Sequence, residues 1–291
     1  MEEYRRKAEH FLRHETQFHL GVLPTEQSHP GTRGLAETLQ RDVKAGIRLL
    51  QGVDQDVAAS ASCVFRSAEY AGLVSALTGA LRGGRRICFS GCGATGRLSI
   101  LLESCWRRFW LDVAGAHPVL APACAAMADR VRSIMTGGDY ALIRSVEFFE
   151  DYASFGRRQV AEAGLGAGDV LVAISEGGET SSVIGTIHEA LSRGARAFFA
   201  FNNPAQILAR HVERSREVIE CPDVTVLDLT SGPMAVAGST RMQATTAELL
   251  AVGTALEHAL VEVLPSVLPA DAIPEEWRSP QDGAALFAGL L

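Results

Sequence analysis

The sequence lacks the features that define several large protein classes. Only two of its 291 residues are lysines, and both precede the first predicted strand, so we expect no Schiff-base lysine in the core. Six scattered cysteines form no CxxC pair, and eight histidines are equally dispersed. This pattern predicts reduced thiols, no metal site and no other cofactor.

Long hydrophobic segments are also missing. No run of 18 apolar residues suggests a membrane span, and the charged N-terminal stretch has no apolar core of a secretory signal. We therefore expect a cytoplasmic protein with no membrane partner. Lys and Arg total 27 against 34 Asp and Glu, a net charge of -7 without a basic stripe. Nucleic-acid binding depends on cationic contacts to phosphates, so we expect no nucleic-acid partner.

Short apolar runs alternate with helical patterns along most of the chain. The runs are continuous, as in parallel strands covered on both faces, and lie at residues 85–90, 169–175, 195–202 and 224–229. Helical spacing is found near residues 35–53, 55–82, 97–109, 139–163, 180–193, 204–214 and 240–264. The alternation predicts an α/β fold, a three-layer doubly wound parallel sheet of flavodoxin or Rossmann type with N-terminal helices.

The flanking segments differ from this pattern. Residues 1–34 are predicted to form an N-terminal arm, since their second half is polar and rich in turns. Residues 35–264 are predicted to form the domain itself. Residues 265–291 contain four prolines and read as a loosely structured tail with a short helix near its end.

The first candidate loop, SGCGATGRL, follows the first strand and has the spacing G-x-G-x-x-G. A nicotinamide site would need a carboxylate at the end of the next strand, and residues 111–121 offer none there. Thr95 places a hydroxyl in the turn, and the N–H groups of Gly93 and Ala94 begin a helix that favours an anion. The loop favours a phosphate ester, with a dinucleotide site or a purely structural turn as alternatives.

Two further loops carry glycines and hydroxyls. ISEGGET follows the strand DVLVAIS and offers Ser175, Glu176, Gly177 and Thr180; we expect the glutamates of this loop to point away from a bound phosphate. GSTRMQ opens the last helix, where Ser239 and Thr240 are candidate sugar or phosphate contacts. Thr240 and Gln243 also fit a capping box, the structural alternative.

A fourth stretch, residues 137–151, supplies carboxylates. Glu147 lies three residues before Glu150 and four before Asp151, so the three share a face if the stretch is helical. Adjacent phenylalanines could desolvate a carboxylate and raise its pKa into the range useful for proton transfer. Glu147 and Glu150 are therefore candidate catalytic bases, with a solvated acidic helix face as the alternative.

Together these motifs resemble the sugar isomerase (SIS) domain family. The similarity is closest to the branch of N-acetylmuramic acid 6-phosphate etherase and glucokinase regulatory protein, and it extends over most of residues 23–260. Its motifs are LPTEQSHPGT, GCGATGRL, GGDYALIRSVEFFED, NNPAQIL and GPMAVAGSTRM. The resemblance implies a hexose 6-phosphate or amino-sugar 6-phosphate ligand and a homodimer. Glu26 and His29 in the arm are candidates to reach the partner's site, with a surface loop as the alternative.

The resemblance also implies roles for single residues. Thr95 and Ser175 match serines that contact the sugar phosphate, and Ser239 with Thr240 matches the G-S-[ST]-R signature. Glu150 matches a glutamate that holds sugar hydroxyls, and either Glu147 or Glu150 matches the etherase's base.

This chain departs from the etherase pattern at one helix position. It reads Glu103-Ser104-Cys105 where the etherase carries a second catalytic glutamate, which an ungapped alignment places at Cys105. Glu103 lies two residues away, about 200° around a helix. The sequence therefore predicts a phosphosugar-binding protein with a sensor or regulatory role, like glucokinase regulatory protein. The alternative is an enzyme, either the etherase or an aldose–ketose isomerase.

Overall fold

A computed structural model describes residues 2–15, 19–144 and 148–291 of the chain. Its centre is a five-stranded parallel sheet in the order β2-β1-β3-β4-β5. The strands are β1 (Ile87–Gly91), β2 (Val131–Met135), β3 (Val170–Ile174), β4 (Arg196–Phe201) and β5 (Val224–Asp228).

Helices connect the strands and cover both faces of the sheet. Among the described residues, four precede β1: α1 (Glu2–His14), α2 (Leu35–Arg41), α3 (Val43–Val64) and α4 (Ala68–Arg82). The next four precede β3: α5 (Gly93–Ala116), α6 (Ala121–Ala128), α7 (Tyr140–Ile143) and α8 (Ala153–Ala163). The others are α9 (Ser181–Ser192), α10 (Ala205–His211), α11 (Glu213–Ile219), α12 (Gln243–Val267) and α13 (Gly283–Ala288).

Alternate side chains of each central strand enter two separate hydrophobic clusters. Ile87 and Phe89 of β1 pack with α4, α5 and α12, whereas Cys88 packs with α8 and α9 on the other face. Strand residues buried on both faces explain the continuous apolar runs. The predicted three-layer doubly wound fold is confirmed, and all four predicted strands are present.

Two details of the sequence prediction are wrong. The edge strand β2 was missed because Arg132 is exposed and Ser133 half-buried, so it has no continuous apolar run. The helix expected over 139–163 is not continuous. Phe148 has a left-handed backbone with φ of 70°, a 3-10 turn spans Phe149–Asp151, and α8 begins only at Ala153.

The first helix and the C-terminal segment differ in how far they are buried. Every residue of α1 is exposed. The C-terminal segment packs on the domain, in contrast to the loosely structured tail expected, because Ile273 joins the core and the ring of Trp277 meets that of Phe109 at 5.4 Å. The short helix expected near the end is α13. No helix within the described residues is both long and apolar enough to cross a membrane.

Candidate functional site

The candidate loops meet at the carboxyl edge of the sheet, where β1 and β3 are neighbours. Helix α5 leaves β1 toward one face and α9 leaves β3 toward the other, so the chain diverges between them. Such a divergence opens a crevice where doubly wound sheets bind ligands.

The first loop is a tight turn that opens α5. A Cβ at Gly91 would lie 2.4 Å from the backbone of Thr95, and Gly93 has a φ of +56°, so both positions require glycine. The Thr95 hydroxyl accepts a bond from the Cys92 N–H at 2.9 Å and donates to the Cys92 carbonyl at 2.8 Å. Thr95 therefore shapes the turn, and its direct contact with a ligand stays a prediction. Gly93 is exposed and Ala94 half-buried at the start of the helix.

The second loop is closed by its own hydroxyl groups. Ser175 Oγ accepts from the Gly178 N–H at 3.2 Å and lies 3.0 Å from Thr180 Oγ1. Gly178 has a φ of +79°, and a Cβ on Gly177 would meet the Glu179 carboxylate at 2.2 Å. A buried hydroxyl group, that of Ser175, a half-buried one, that of Thr180, and a compact glycine turn thus follow β3, the strand beside β1.

Two hydroxyl pairs that sequence reasoning missed join these loops. Ser90 Oγ lies 2.8 Å from Thr186 Oγ1, and Thr136 Oγ1 lies 2.8 Å from Ser182 Oγ. They connect the ends of β1 and β2 to the first turns of α9. A hydroxyl residue at or just after a strand end was the available signal, but Thr136 follows the strand that was not predicted.

The third loop reaches the second through α12. The Thr245 hydroxyl donates to Glu176 Oε1 and to the Thr240 carbonyl, both at 3.2 Å. The capping box expected from Thr240 and Gln243 is wrong, because α12 begins at Gln243 and that side chain accepts from the Ala235 N–H at 2.9 Å. Ser239 and Thr240 are half-buried beside this contact.

Glu150 lies against the first loop. Its 3-10 turn brings it to Cys92, whose thiol donates to Glu150 Oε2 at 3.4 Å. The turn is not the helix face expected for Glu147, Glu150 and Asp151, and Glu147 lies outside the described residues. Glu150 is exposed, so the desolvation expected from the adjacent phenylalanines is absent.

Three carboxyl groups are buried to different depths behind the loops. Burial raises the pKa of Glu176 to about 7, and Thr245 and Arg241 partly offset this effect. Burial also raises the pKa of Glu179. Glu248 on α12 is fully buried, and both burial and the nearby charge of Glu176 raise its pKa well above the ordinary value. Sequence reasoning missed Glu248, because nothing along the chain distinguishes it from a surface glutamate.

The N-terminal arm folds onto its own chain. The Thr25 N–H donates to Asn203 Oδ1 at 3.2 Å, and the Asn203 amide donates to the Thr25 hydroxyl and to the Gly177 carbonyl. His29 Nε2 lies 2.9 Å from Asp56 Oδ2. Glu26 is exposed. Burial is the largest effect that raises the pKa of Glu179, and the charge of Glu26 adds a smaller increase. The arm therefore contacts this chain's own second loop, and the reach toward a partner stays a prediction.

Glu103 faces away from the loops, as its helical position predicted. Its carboxylate accepts from Ser133 Oγ at 2.5 Å and from Arg107 Nε at 2.9 Å, beside the middle of the edge strand. Cys105 is exposed in an apolar groove between α5 and α12. No cluster of three potential metal ligands occurs in residues 2–15, 19–144 and 148–291.

The strand order defines an α/β protein, with a candidate ligand site where the three loops lie at one edge of the sheet. Residues 69–191 match the family model of the glucokinase regulatory protein N-terminal SIS domain. This match, together with the relatives of 30–32% identity described next, shows that the chain belongs to the SIS domain family, in the branch that contains the N-acetylmuramic acid 6-phosphate etherases and glucokinase regulatory protein.

Several relatives carry the name N-acetylmuramic acid 6-phosphate etherase. The protein of Thermosynechococcus vestitus is 30% identical over 84% of this chain and 69% of its own length, and that of Synechococcus sp. CC9605 is 32% identical over 84% and 67%. Etherase 1 of Bacillus licheniformis is 28% identical over 84% and 71%. A solved phosphoheptose isomerase from Neisseria gonorrhoeae aligns with a TM-score of 0.46 at 15% identity, covering 76% of this chain and 98% of its own.

Proposed function

We propose that this protein binds an amino-sugar 6-phosphate and cleaves its ether, as an N-acetylmuramic acid 6-phosphate etherase does. The etherase relatives extend over about four-fifths of the chain, whereas the regulatory-protein match covers residues 69–191. This support favours the enzyme over the sensor that the sequence alone suggested.

One observation carries the proposal: a carboxylate stands beside the phosphosugar loops. Glu150 contacts Cys92 at 3.4 Å, within the loop whose glycines open α5. We assign the phosphate to the N–H groups at the start of α5, at Gly93 and Ala94, since a helix N-terminus favours an anion. The remaining contacts to phosphate and sugar are assigned to Thr95, Ser175, Glu176, Gly177, Thr180, Ser239 and Thr240.

The chemistry requires a base near C2 of the sugar. In the open-chain form the C1 aldehyde acidifies the proton on C2, and the ether oxygen on C3 is then a leaving group one carbon further on. A carboxylate that removes the C2 proton starts elimination, and donors at the aldehyde oxygen stabilise the enolate. Glu150 and Glu147 are the two assigned candidates for this base.

The test measures lactate release from N-acetylmuramic acid 6-phosphate, together with deuterium uptake at C2 in heavy water. If Glu150 is the base, Glu150→Gln loses at least about 100-fold in both signals. If Glu147 is the base, Glu147→Gln shows the loss of both signals instead. Glu162→Gln removes an exposed carboxylate from α8 and is the control expected to match the wild-type protein. Absence of lactate release from the wild-type protein would refute the proposal.

A binding protein without turnover is the second candidate. The observation that favours it is the lack of a glutamate at Cys105, with Glu103 engaged at the edge strand. Calorimetry that shows binding of fructose 6-phosphate or N-acetylmuramic acid 6-phosphate, with no lactate release and no isomerisation, would establish this alternative. We also propose a homodimer, which light scattering tests.

A further inference from the structure

Glu176 is the carboxyl group that connects the three loops. It follows directly after Ser175 at the end of β3, and its backbone carbonyl accepts from the Asn202 N–H at 2.9 Å. Its side chain crosses to α12, where Oε1 accepts from Thr245 at 3.2 Å. The charge of Glu176 also raises the pKa of the Cys92 thiol, although burial, Glu150 and Thr136 have larger effects on that pKa. Glu176 is half-buried.

We propose that Glu176 is the second proton-transfer carboxyl of this site, the group that gives a proton to the departing ether oxygen. This inference rests on the proposed function. An elimination of this kind needs a base at C2 and an acid at C3, and the helix position where the resemblance implies a second catalytic glutamate holds Cys105. Glu103 is already bound to Ser133 and Arg107, away from the loops. Glu176 places a carboxyl on the same sheet edge as Glu150.

The proton balance of the step is complete with these two carboxyl groups. The base takes the proton from C2, the C2–C3 double bond forms, and the C3–O bond breaks. The ether oxygen leaves as the hydroxyl group of lactate, with the proton that Glu176 donates. Addition of water to C3 returns a proton to Glu176, and the base returns its proton to C2.

The groups packed around Glu176 keep a proton available on it. Glu248 is close enough for the charge of Glu176 to raise its pKa; its Oε1 accepts from Asn202 at 3.3 Å, and its Oε2 is buried without a hydrogen-bond partner among the described residues. Burial is the main effect that favours the protonated form of Glu176, while burial and the charge of Glu176 raise the pKa of Glu248 well above the ordinary value. Glu179 also disfavours the ionised form of Glu176, whereas Arg241 and Thr245 favour it. The resulting pKa of about 7 suits an acid that must donate and recover a proton near neutral pH.

The test compares wild-type protein with Glu176→Gln, a change that keeps the shape and removes the transferable proton. Substrate recovered after incubation in heavy water is analysed for deuterium at C2, and released lactate is measured in the same sample. We expect Glu176→Gln to release lactate at least about 100-fold more slowly while deuterium accumulates in unreacted substrate. Retained exchange also shows that the variant is folded and binds its ligand.

A pH profile separates this role from a purely structural one. Wild-type lactate release should fall as pH rises through about 7, because the donor loses its proton, and the residual release by Glu176→Gln should lack that decline. Glu257→Gln, which removes an exposed carboxyl on α12 away from the loops, is the control.

Unchanged lactate release by Glu176→Gln would overturn the assignment and leave the proposed function standing. Loss of both lactate release and deuterium exchange in that variant would also overturn it, because the base step would then depend on Glu176. A wild-type protein that releases no lactate would instead refute the proposed function itself.

Discussion

Replacing Gly156 by alanine should separate the two helices that hold the Glu150 turn in place. Helices α8 and α9 cross at two glycines. A Cβ on Gly156 would lie 1.8 Å from the Ser182 carbonyl oxygen, and one on Gly185 would lie 2.0 Å from that of Ala153. Ordinary contact begins at 3.4 Å, so the helices must move apart by about 1.6 Å, from 3.4 minus 1.8, to admit the methyl group.

The expected cost follows from two opposing effects. Alanine gains about 1 kcal/mol of helix propensity over glycine. Overpacking in a close-packed interior costs about 1–3 kcal/mol and sometimes more, and here the opposing atom is backbone that cannot rotate away. We expect Gly156→Ala to lower the free energy of unfolding by about 2 kcal/mol, measured by urea denaturation.

Gly156→Ala should also lower the rate of lactate release, because the turn at Phe149–Asp151 leads almost directly into α8. A displacement of about 1 Å at a reacting group can cost about 100-fold in rate, so lactate release should fall up to that extent.

Gly79→Ala is the matched control for this substitution. Gly79 is exposed within α4, and a Cβ there would have no heavy atom of the described residues within 4 Å. It should therefore stabilise the protein by up to about 1 kcal/mol without affecting lactate release. Equal or greater stability of Gly156→Ala in urea would refute the packing argument.

Three other changes test the site and its support. Ser175→Ala should weaken hexose 6-phosphate binding about tenfold in calorimetry, through loss of a hydrogen bond to a charged group; unchanged affinity would contradict the assigned contact. Asp169→Asn should lower the free energy of unfolding in urea by about 3 kcal/mol, because the buried carboxylate pairs with Arg86 Nη2 at 3.1 Å; equal stability would show that this pair adds nothing. Glu176 ionises at lower pH in the unfolded chain, so wild-type stability relative to Glu176→Gln should fall from pH 4.5 to 7 by up to about 3 kcal/mol. Parallel pH curves would exclude a raised pKa.

The sequence by itself determined the sheet and the loops at its edge. Strands buried on both faces must be apolar throughout, and turns that run directly into helices need glycine. Both features can therefore be predicted from a single sequence. The same reasoning placed Ser175 directly after β3 and the first loop at the start of α5, as the structure has them. It failed at β2, because an edge strand has one partner strand and tolerates Arg132 on its exposed side.

Only the tertiary structure decided which polar groups meet. Glu176 contacts Thr245, 69 positions further along the chain, and Glu248 lies in the core behind it. Neither pairing leaves a local pattern, since the distance between two side chains depends on how β3 and α12 pack. Burial, which raises the pKa values of these carboxyl groups, likewise comes from the assembled layers. The roles of Gly156 and Gly185 could not be predicted from the sequence either, because the close contact between α8 and α9 depends on how the two helices pack.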